Sequence, residues 1–383
     1  TLDYIKNNYG FPDNINISQV RPSHFYLRLI GVAKHGILFN KSGPNLSSSI
    51  KFAYKSLKKN SKNDNKQLDK FSANKNEYKK FKSFSNNFNE INHYDHHKCH
   101  AASAYYNSGF EKSLIITLDG RGDGYSCTIY TGENSRITNY KNFYYNQNTV
   151  GQDYSLITAF LGFNPIRHPG KITGLAAYGK YNENCVNAVK KFINSTWKRK
   201  TKKGFITNNY YYCHTEEGLN ELKKIRESYF GKFTKEDIAF AIQYLTENEV
   251  VNFIGDIKNN LNYDNLSLAG GVFANVKLNQ KIKELGFKNI FIQPAMGDNG
   301  LSLGAALLNA SSKNNLKPYK LDNVYFGPEY ADSEIEKELN NFKVKYEKIP
   351  DIEYQVAELI SKGKVIARFN GRMEFGPRAL GNR

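Results

Sequence analysis

The tightest constraint on the fold is the run Ser113-Leu114-Ile115-Ile116-Thr117-Leu118. It closes on Asp119-Gly120-Arg121-Gly122-Asp123-Gly124 and reopens as an alternating stretch over residues 125–130. A compact β-branched run of this kind is a buried strand, and the glycine-rich closure followed by alternation makes it one arm of a β-hairpin. Further strands are expected at 266–269 and 289–293, each leading through a glycine-containing turn into a helical pattern, at 276–285 and 301–310. Strands alternating with helices specify an α/β domain with a mixed sheet.

Outside this core the chain is less regular. Residues 1–40 read as a helix followed by mixed structure, and the stretch that follows, to about residue 92, as an insertion of irregular helices and loop rich in Ser, Asn and Lys. Composition shifts again at Ser311-Ser312-Lys313-Asn314-Asn315, read as a linker. Beyond it, a new unit holds a helix over 354–361, a strand at 364–369 and a dense Arg/Gly segment. The chain has no initiator Met and stops at Arg383, so the reading is of a fragment at both ends.

A formal charge of +18 raises nucleic acid or an anionic membrane as partner. The lysines concentrate in two polar stretches, 51–82 with eleven lysines against three acids, and 197–203. A charge run by itself fixes no geometry, so solvated surface is favoured and nucleic acid disfavoured. No run of about 18 apolar residues occurs, nor any signal-like start, so no membrane partner is expected. The cysteines Cys99, Cys127, Cys185 and Cys213 form no C-x-x-C pair, which fits a reducing, cytoplasmic location.

His96 and His100 stand four apart in a segment expected to be helical, so both imidazoles face one way, within reach of a single ion. Asp119 ends a buried strand at a glycine-rich turn, and Asp298 has the same setting before a helix. Nitrogen and oxygen donors without thiolate suit Fe(II), Mn(II) or Zn(II) in an open site; the plain alternative for either Asp is a cap or turn residue. Two glycine loops read as nucleotide contacts: Gly270-Gly271 with Asn275, and Gly170-Lys171 within 168–179, although paired glycines also serve ordinary tight turns. In the last segment Arg372, Arg378 and Arg383, interleaved with glycines, suit recognition of an oxyanion such as a phosphate, against the alternative of surface arginines on a loop.

Taken in order, several motifs are similar to those of the O-carbamoyltransferases, the family of nodulation proteins and antibiotic-tailoring enzymes. They are His96-His97-x-x-His100-Ala-Ala-Ser-Ala-Tyr105, Leu118-Asp119-Gly120-x-Gly122-Asp123-Gly124, Gly170-Lys171-x-x-Gly174-Leu175-Ala176-x-Tyr178-Gly179, Gly270-Gly271-Val272, Gly297-Asp298, and the final thirteen residues from Gly371. The likeness spans residues 91–383, while 41–90 matches loosely as a variable insertion. It implies an actin/Hsp70-like nucleotide-binding fold over 1–315 and the start of a YrdC-like α+β domain over 316–383. It also implies carbamoyl adenylate made from ATP and carbamoyl phosphate, with transfer to a hydroxyl of a small-molecule or glycan acceptor. The metal ligands carried over are His96, His100, Asp119 and Asp298, with Fe(II) or another divalent ion.

Two departures stand out: a His-Asp pair near the family's start has no counterpart, and most of the YrdC-like domain is missing. Pro169 stands where relatives often place an acid, so His168 receives no role and no general base is identified. A homodimer is left open. The alternatives are a tRNA threonylcarbamoyl transferase, which does not usually carry the terminal arginine motif, and hydrogenase maturation, which should bring zinc-finger cysteines. A non-enzymatic actin-like module would leave the histidine pair without a purpose.

Overall fold

The computed structural model describes residues 14–18, 90–144, 150–198, 200–201, 204–205, 227 and 229–383. The expected helix at the start, nearly all of the 41–92 insertion, its lysine stretch and Cys213 lie outside these residues. Two short strands, β1 (Asn14–Ser18) and β2 (Glu90–Tyr94), pair in parallel and lead into helix α1 (His96–Tyr106).

The core is a five-stranded sheet. β3 (Lys112–Gly122), β4 (Tyr125–Glu133) and β5 (Arg136–Tyr144) form an antiparallel meander, as the hairpin pattern requires. After a helical excursion through α2 (Val150–Phe160), α3 (Pro169–Ala176), α4 (Glu183–Lys198), the two-residue strands β6 (Lys200–Thr201) and β7 (Gly204–Phe205), and α5 (Lys235–Leu261), the chain returns. Strand β8 (Asn265–Ala269) joins β3 in parallel, helix α6 (Val276–Lys283) follows, and β9 (Asn289–Ile292) extends the sheet in the order β5-β4-β3-β8-β9. The mixed α/β sheet expected from sequence is therefore present.

Period-two alternation gives β3 two buried faces. Leu114, Ile116 and Leu118 pack with Val250 and Ile254 of α5 and Leu278 and Ile282 of α6. Ile115 points the other way, among Cys99, Ala101, Ala102 and Tyr105 of α1 and Ala305 and Leu308 of helix α7 (Leu301–Asn314). Each buried aliphatic side chain contributes about 1.5–3 kcal/mol. Gly304 of α7 lies so close to α1 that a side chain there would stand 2.0 Å from the Cys99 carbonyl oxygen. That contact seats the N-terminus of α7 beside α1.

Three expectations are corrected. Residues 169–176 form helix α3 rather than a loop, because Pro169 opens it and Ile172 and Ala176, four apart, bury against the α2 and α5 helices. The expected linker at Ser311 is still helix, since α7 continues through Asn314 and ends where Asn315 turns left-handed at φ 48°. Residues 364–369 are not a strand: among the described residues no segment forms a ladder with them, and Val365 is 99% exposed. Helices α8 (Asp332–Asn341) and α9 (Ile352–Ser361) precede that segment. No helix among the described residues is long and apolar enough to cross a membrane.

Candidate functional site

Asp95 is extended, so α1 starts at His96 and places His96 and His100 on one face, one turn apart. That face meets the end of β3, where pairing with β4 slips between Leu118 and Gly122. Such an irregularity releases a strand residue from the ladder and re-aims its side chain, here Asp119. Gly122 makes the approach feasible, because a β-carbon there would lie 2.1 Å from His96 Cδ2. Asp123 fixes the helix start: its Oδ2 accepts the His96 backbone N–H at 2.7 Å, a carboxylate at a helix N-terminus. Asp298 arrives from a third element, the turn that opens α7.

The four side chains converge, with donor atoms all within 4.8 Å of one another. His100 Nε2 lies 3.1 Å from His96 Nε2, 3.2 Å from Asp119 Oδ2 and 3.6 Å from Asp298 Oδ1; His96 Nε2 lies 3.6 and 3.5 Å from the same carboxylates. Ligands at about 2.1 Å from one ion stand about 3.0–3.4 Å apart, so the set fits a single divalent cation. His100 is fully buried, and its Nε2 is the nitrogen turned to the other three donors, which is the atom a cation would take. On the other side the Asp298 side chain is 72% exposed, which leaves the cluster open to a ligand from solvent.

Burial alone would lower the His100 imidazole, but the Asp119 and Asp298 carboxylates against it more than reverse this and hold it above its ordinary range. Burial likewise pushes Asp119 up, and His100 and His96 outweigh it, leaving the carboxyl well below the usual range. His97, between the two ligands in sequence, faces elsewhere. Its Nε2 donates to the Tyr125 carbonyl (3.1 Å) and its Nδ1 accepts from Thr117 Oγ1 (2.7 Å). Burial and the neighbouring imidazoles push it down to about 3, so it stays neutral and braces α1 against the sheet.

The Gly270-Gly271 turn is seated directly against this cluster. Gly270, at φ 107°, donates its N–H to Met296 O at 2.7 Å, and a β-carbon on Gly271 would stand 3.2 Å from Asp119 Oδ1. Asn275 serves the fold: it caps α6 by accepting from Leu278 N (3.1 Å) and exchanges hydrogen bonds with Gln243. Gly170 and Lys171 occupy the first turn of α3. Arg378 connects the two glycine segments, donating from Nη2 to the Ala274 carbonyl while Nη1 lies 3.8 Å from where a Gly170 β-carbon would be.

The other two arginines are elsewhere. Arg372 Nε pairs with Glu329 Oε2 at 3.0 Å on the surface, and Arg383 Nε with Glu374 Oε2 at 2.8 Å. Glu374 was not singled out in the sequence. Its Oε1 accepts the backbone N–H groups of Leu380 (2.9 Å), Asn382 (2.8 Å) and Arg383 (3.3 Å). Burial works to raise this carboxyl, and the N–H donors with Arg383 outweigh it, bringing it down to about 2. A depressed carboxyl stabilises above its ordinary value of 4.5, and the contribution is lost as pH falls toward about 2. Acid titration followed by NMR should therefore release the Leu380 and Asn382 amides across that window; shifts flat down to pH 2 would contradict the contact.

Comparison with known proteins gives a consistent picture. Residues 38–307 match the family described as Carbamoyltransferase N-terminus, and residues 357–383 match Carbamoyltransferase C-terminus. An uncharacterised protein of Methanocaldococcus jannaschii is 37% identical over 322 residues, covering 76% of this chain and 50% of that protein. Nodulation protein NolO of Bradyrhizobium diazoefficiens is 33% identical over 301 residues, covering 76% of this chain and 52% of its own. The 3'-hydroxymethylcephem-O-carbamoyltransferase of Streptomyces clavuligerus is 32% identical over 119 residues, covering 31% of this chain and 22% of its own. The chain spans about half the length of the first two.

Proposed function

The chain belongs to the carbamoyltransferase family, and we propose that it is the metal- and nucleotide-binding part of an ATP-dependent O-carbamoyltransferase. The observation that carries this reading is the His96, His100, Asp119, Asp298 cluster with a glycine turn packed so close that a β-carbon on Gly271 would stand 3.2 Å from Asp119 Oδ1. A nucleotide lying along that turn would present its reactive end to the cluster. We assign residues 1–315 to an actin/Hsp70-like transfer domain and 316–383 to the start of a YrdC-like domain that makes carbamoyl adenylate from ATP and carbamoyl phosphate.

In the transfer step an acceptor hydroxyl oxygen bonds to the carbamoyl carbon, the bond from that carbon to the phosphate oxygen breaks, AMP leaves as an anion, and the hydroxyl proton passes to solvent or a base. The two imidazoles and two carboxylates would hold Fe(II) or another divalent ion, which when bound would supply Lewis-acid polarisation of a carbonyl or hydroxyl oxygen. Gly270 and Gly271 let the backbone approach the adenylate, and Lys171 and Arg378 offset the charge of its phosphate. The open side at Asp298 admits the acceptor. The relative named as a 3'-hydroxymethylcephem-O-carbamoyltransferase supports a hydroxyl of a small molecule as acceptor, and a sugar hydroxyl belongs to the same chemical class. Cys99, Cys127 and Cys185 are buried thiols, and a reducing cytoplasm suits them.

Mass spectrometry of hydroxylated acceptors supplied with carbamoyl adenylate and the metal-loaded chain should register a gain of one carbamoyl group. Calorimetry with a non-hydrolysable ATP analogue is the parallel measurement. No affinity for the analogue and no modified acceptor would defeat the proposal.

A further inference from the structure

Glu374 takes no part in the chemistry above, yet it is 6% exposed in a segment whose neighbours are largely at the surface. Residues 374–383 fold back onto its carboxylate: Oε1 collects three backbone N–H groups, and Oε2 pairs with Arg383, whose Nη2 also donates to Gly376 O at 2.9 Å. The loop is held from outside at Gly376, where φ is 123° and a β-carbon would stand 2.3 Å from Pro294 O, so only glycine can lie there. Between these anchors sits Arg378. Its guanidinium is delivered to the Ala274 carbonyl, at the end of the Gly270-Gly271 turn, and to the first turn of α3, which has no acidic residue and contains Lys171.

The charge balance there is uneven. Among the described residues no carboxylate pairs with Arg378, and its Nε is buried without a partner. A guanidinium with an unmet donor at the positive end of a helix is a repulsive arrangement until an anion joins it. Something must hold the arginine in place, and the loop closed by Glu374 does so.

We propose that Glu374 is a positioning residue for nucleotide binding: by closing residues 374–383 on its carboxylate it sets Arg378 against both glycine segments, where the guanidinium meets a phosphate group of the nucleotide. The inference rests on the nucleotide reading above. The test is calorimetry of a non-hydrolysable ATP analogue with the full chain, alongside elemental analysis of bound metal. Arg378→Ala should weaken binding about tenfold, the loss of one charge-assisted hydrogen bond. Glu374→Ala should match it within about twofold, and the double variant should be no weaker than Arg378→Ala alone, because one residue acts through the other.

Glu374→Gln keeps an acceptor for the N–H groups but loses the Arg383 pair, so its affinity should fall between parent and Glu374→Ala. Metal content should stay at the parental level in every variant, which a general loss of folding would not allow. Parental affinity in both Glu374 variants beside a weakened Arg378→Ala would overturn the role of Glu374. So would losses that multiply in the double variant, or metal lost together with nucleotide. Parental affinity in Arg378→Ala, or no binding by the parent, would instead remove the nucleotide reading itself and this inference with it.

Discussion

His100→Ala is expected to lower bound divalent metal by more than tenfold while the sheet stays folded. His100 is the most enclosed of the four donors, and its Nε2 lies within 3.6 Å of the other three, so no neighbour can take its place without moving a helix or a strand. Removing a ligand should exceed the 10–100-fold loss that accompanies even an outer-sphere change, as an order of magnitude. The metal-free stability should fall too. Truncation leaves the Asp119 carboxylate without the partner that lowers its pKa, and breaking a buried pair costs about 3–5 kcal/mol. Asp119 retains 19% side-chain exposure and His96 as a second partner, so roughly half of that is the better expectation. Affinity in the parent should rise with pH, since an ion must displace the proton that the carboxylates hold on His100. Equal metal content in parent and variant would remove the assignment.

Gly270→Ala should be the most destabilising small substitution near the site, by about 3–5 kcal/mol. At φ 107° and ψ 150° the backbone is in a region that essentially only glycine occupies, and the new methyl would stand 2.2 Å from the Leu118 carbonyl oxygen. The turn must move or β3 must, and Leu118 precedes Asp119, so metal affinity should drop together with stability. Gly271→Ala provides the control. Its β-carbon would meet Asp119 Oδ1 at 3.2 Å, tight but relieved by a small side-chain shift, and about 1 kcal/mol or less is expected. Urea unfolding and elemental analysis of both variants give the comparison; similar stabilities would show that the turn is not wedged against β3.

Several elements were open to sequence reading because their signal is local. The β3–β4 hairpin, the strands at β8 and β9 and the helices after them announce themselves by periodicity and glycine turns. The helical block from α2 to α5 went unassigned, although α5 carries its own markers. Thr234 accepts from Asp237 N at 3.1 Å, Glu236 and Asp237 fill the first turn, and Lys258 stands in the last. Those residues were sufficient to start and stop a helix. The strand expected over 364–369 failed for the opposite reason, since β character is completed by a partner and none is present among the described residues.

For the site, spacing alone placed His96 and His100 on one face, because helical geometry turns a four-residue interval into proximity. Their setting at glycine turns after strands marked Asp119 and Asp298 as companions, and the motif resemblance named the same four. Only the tertiary structure could decide that β3 slips its register at Asp119, that the ring of His96 fills the space Gly122 leaves, and that α7 brings Asp298 to within 3.6 Å of His100. It also redistributed the arginines, sending Arg378 to the glycine segments and closing Arg383 on Glu374. Side-chain types and intervals specify which donors a chain owns and which face of an element they share. Convergence across elements is set by packing and by long-range contacts that no window of sequence contains. For that reason a buried carboxylate such as Glu374, whose partners are mostly backbone N–H groups, leaves no mark in the pattern of residues.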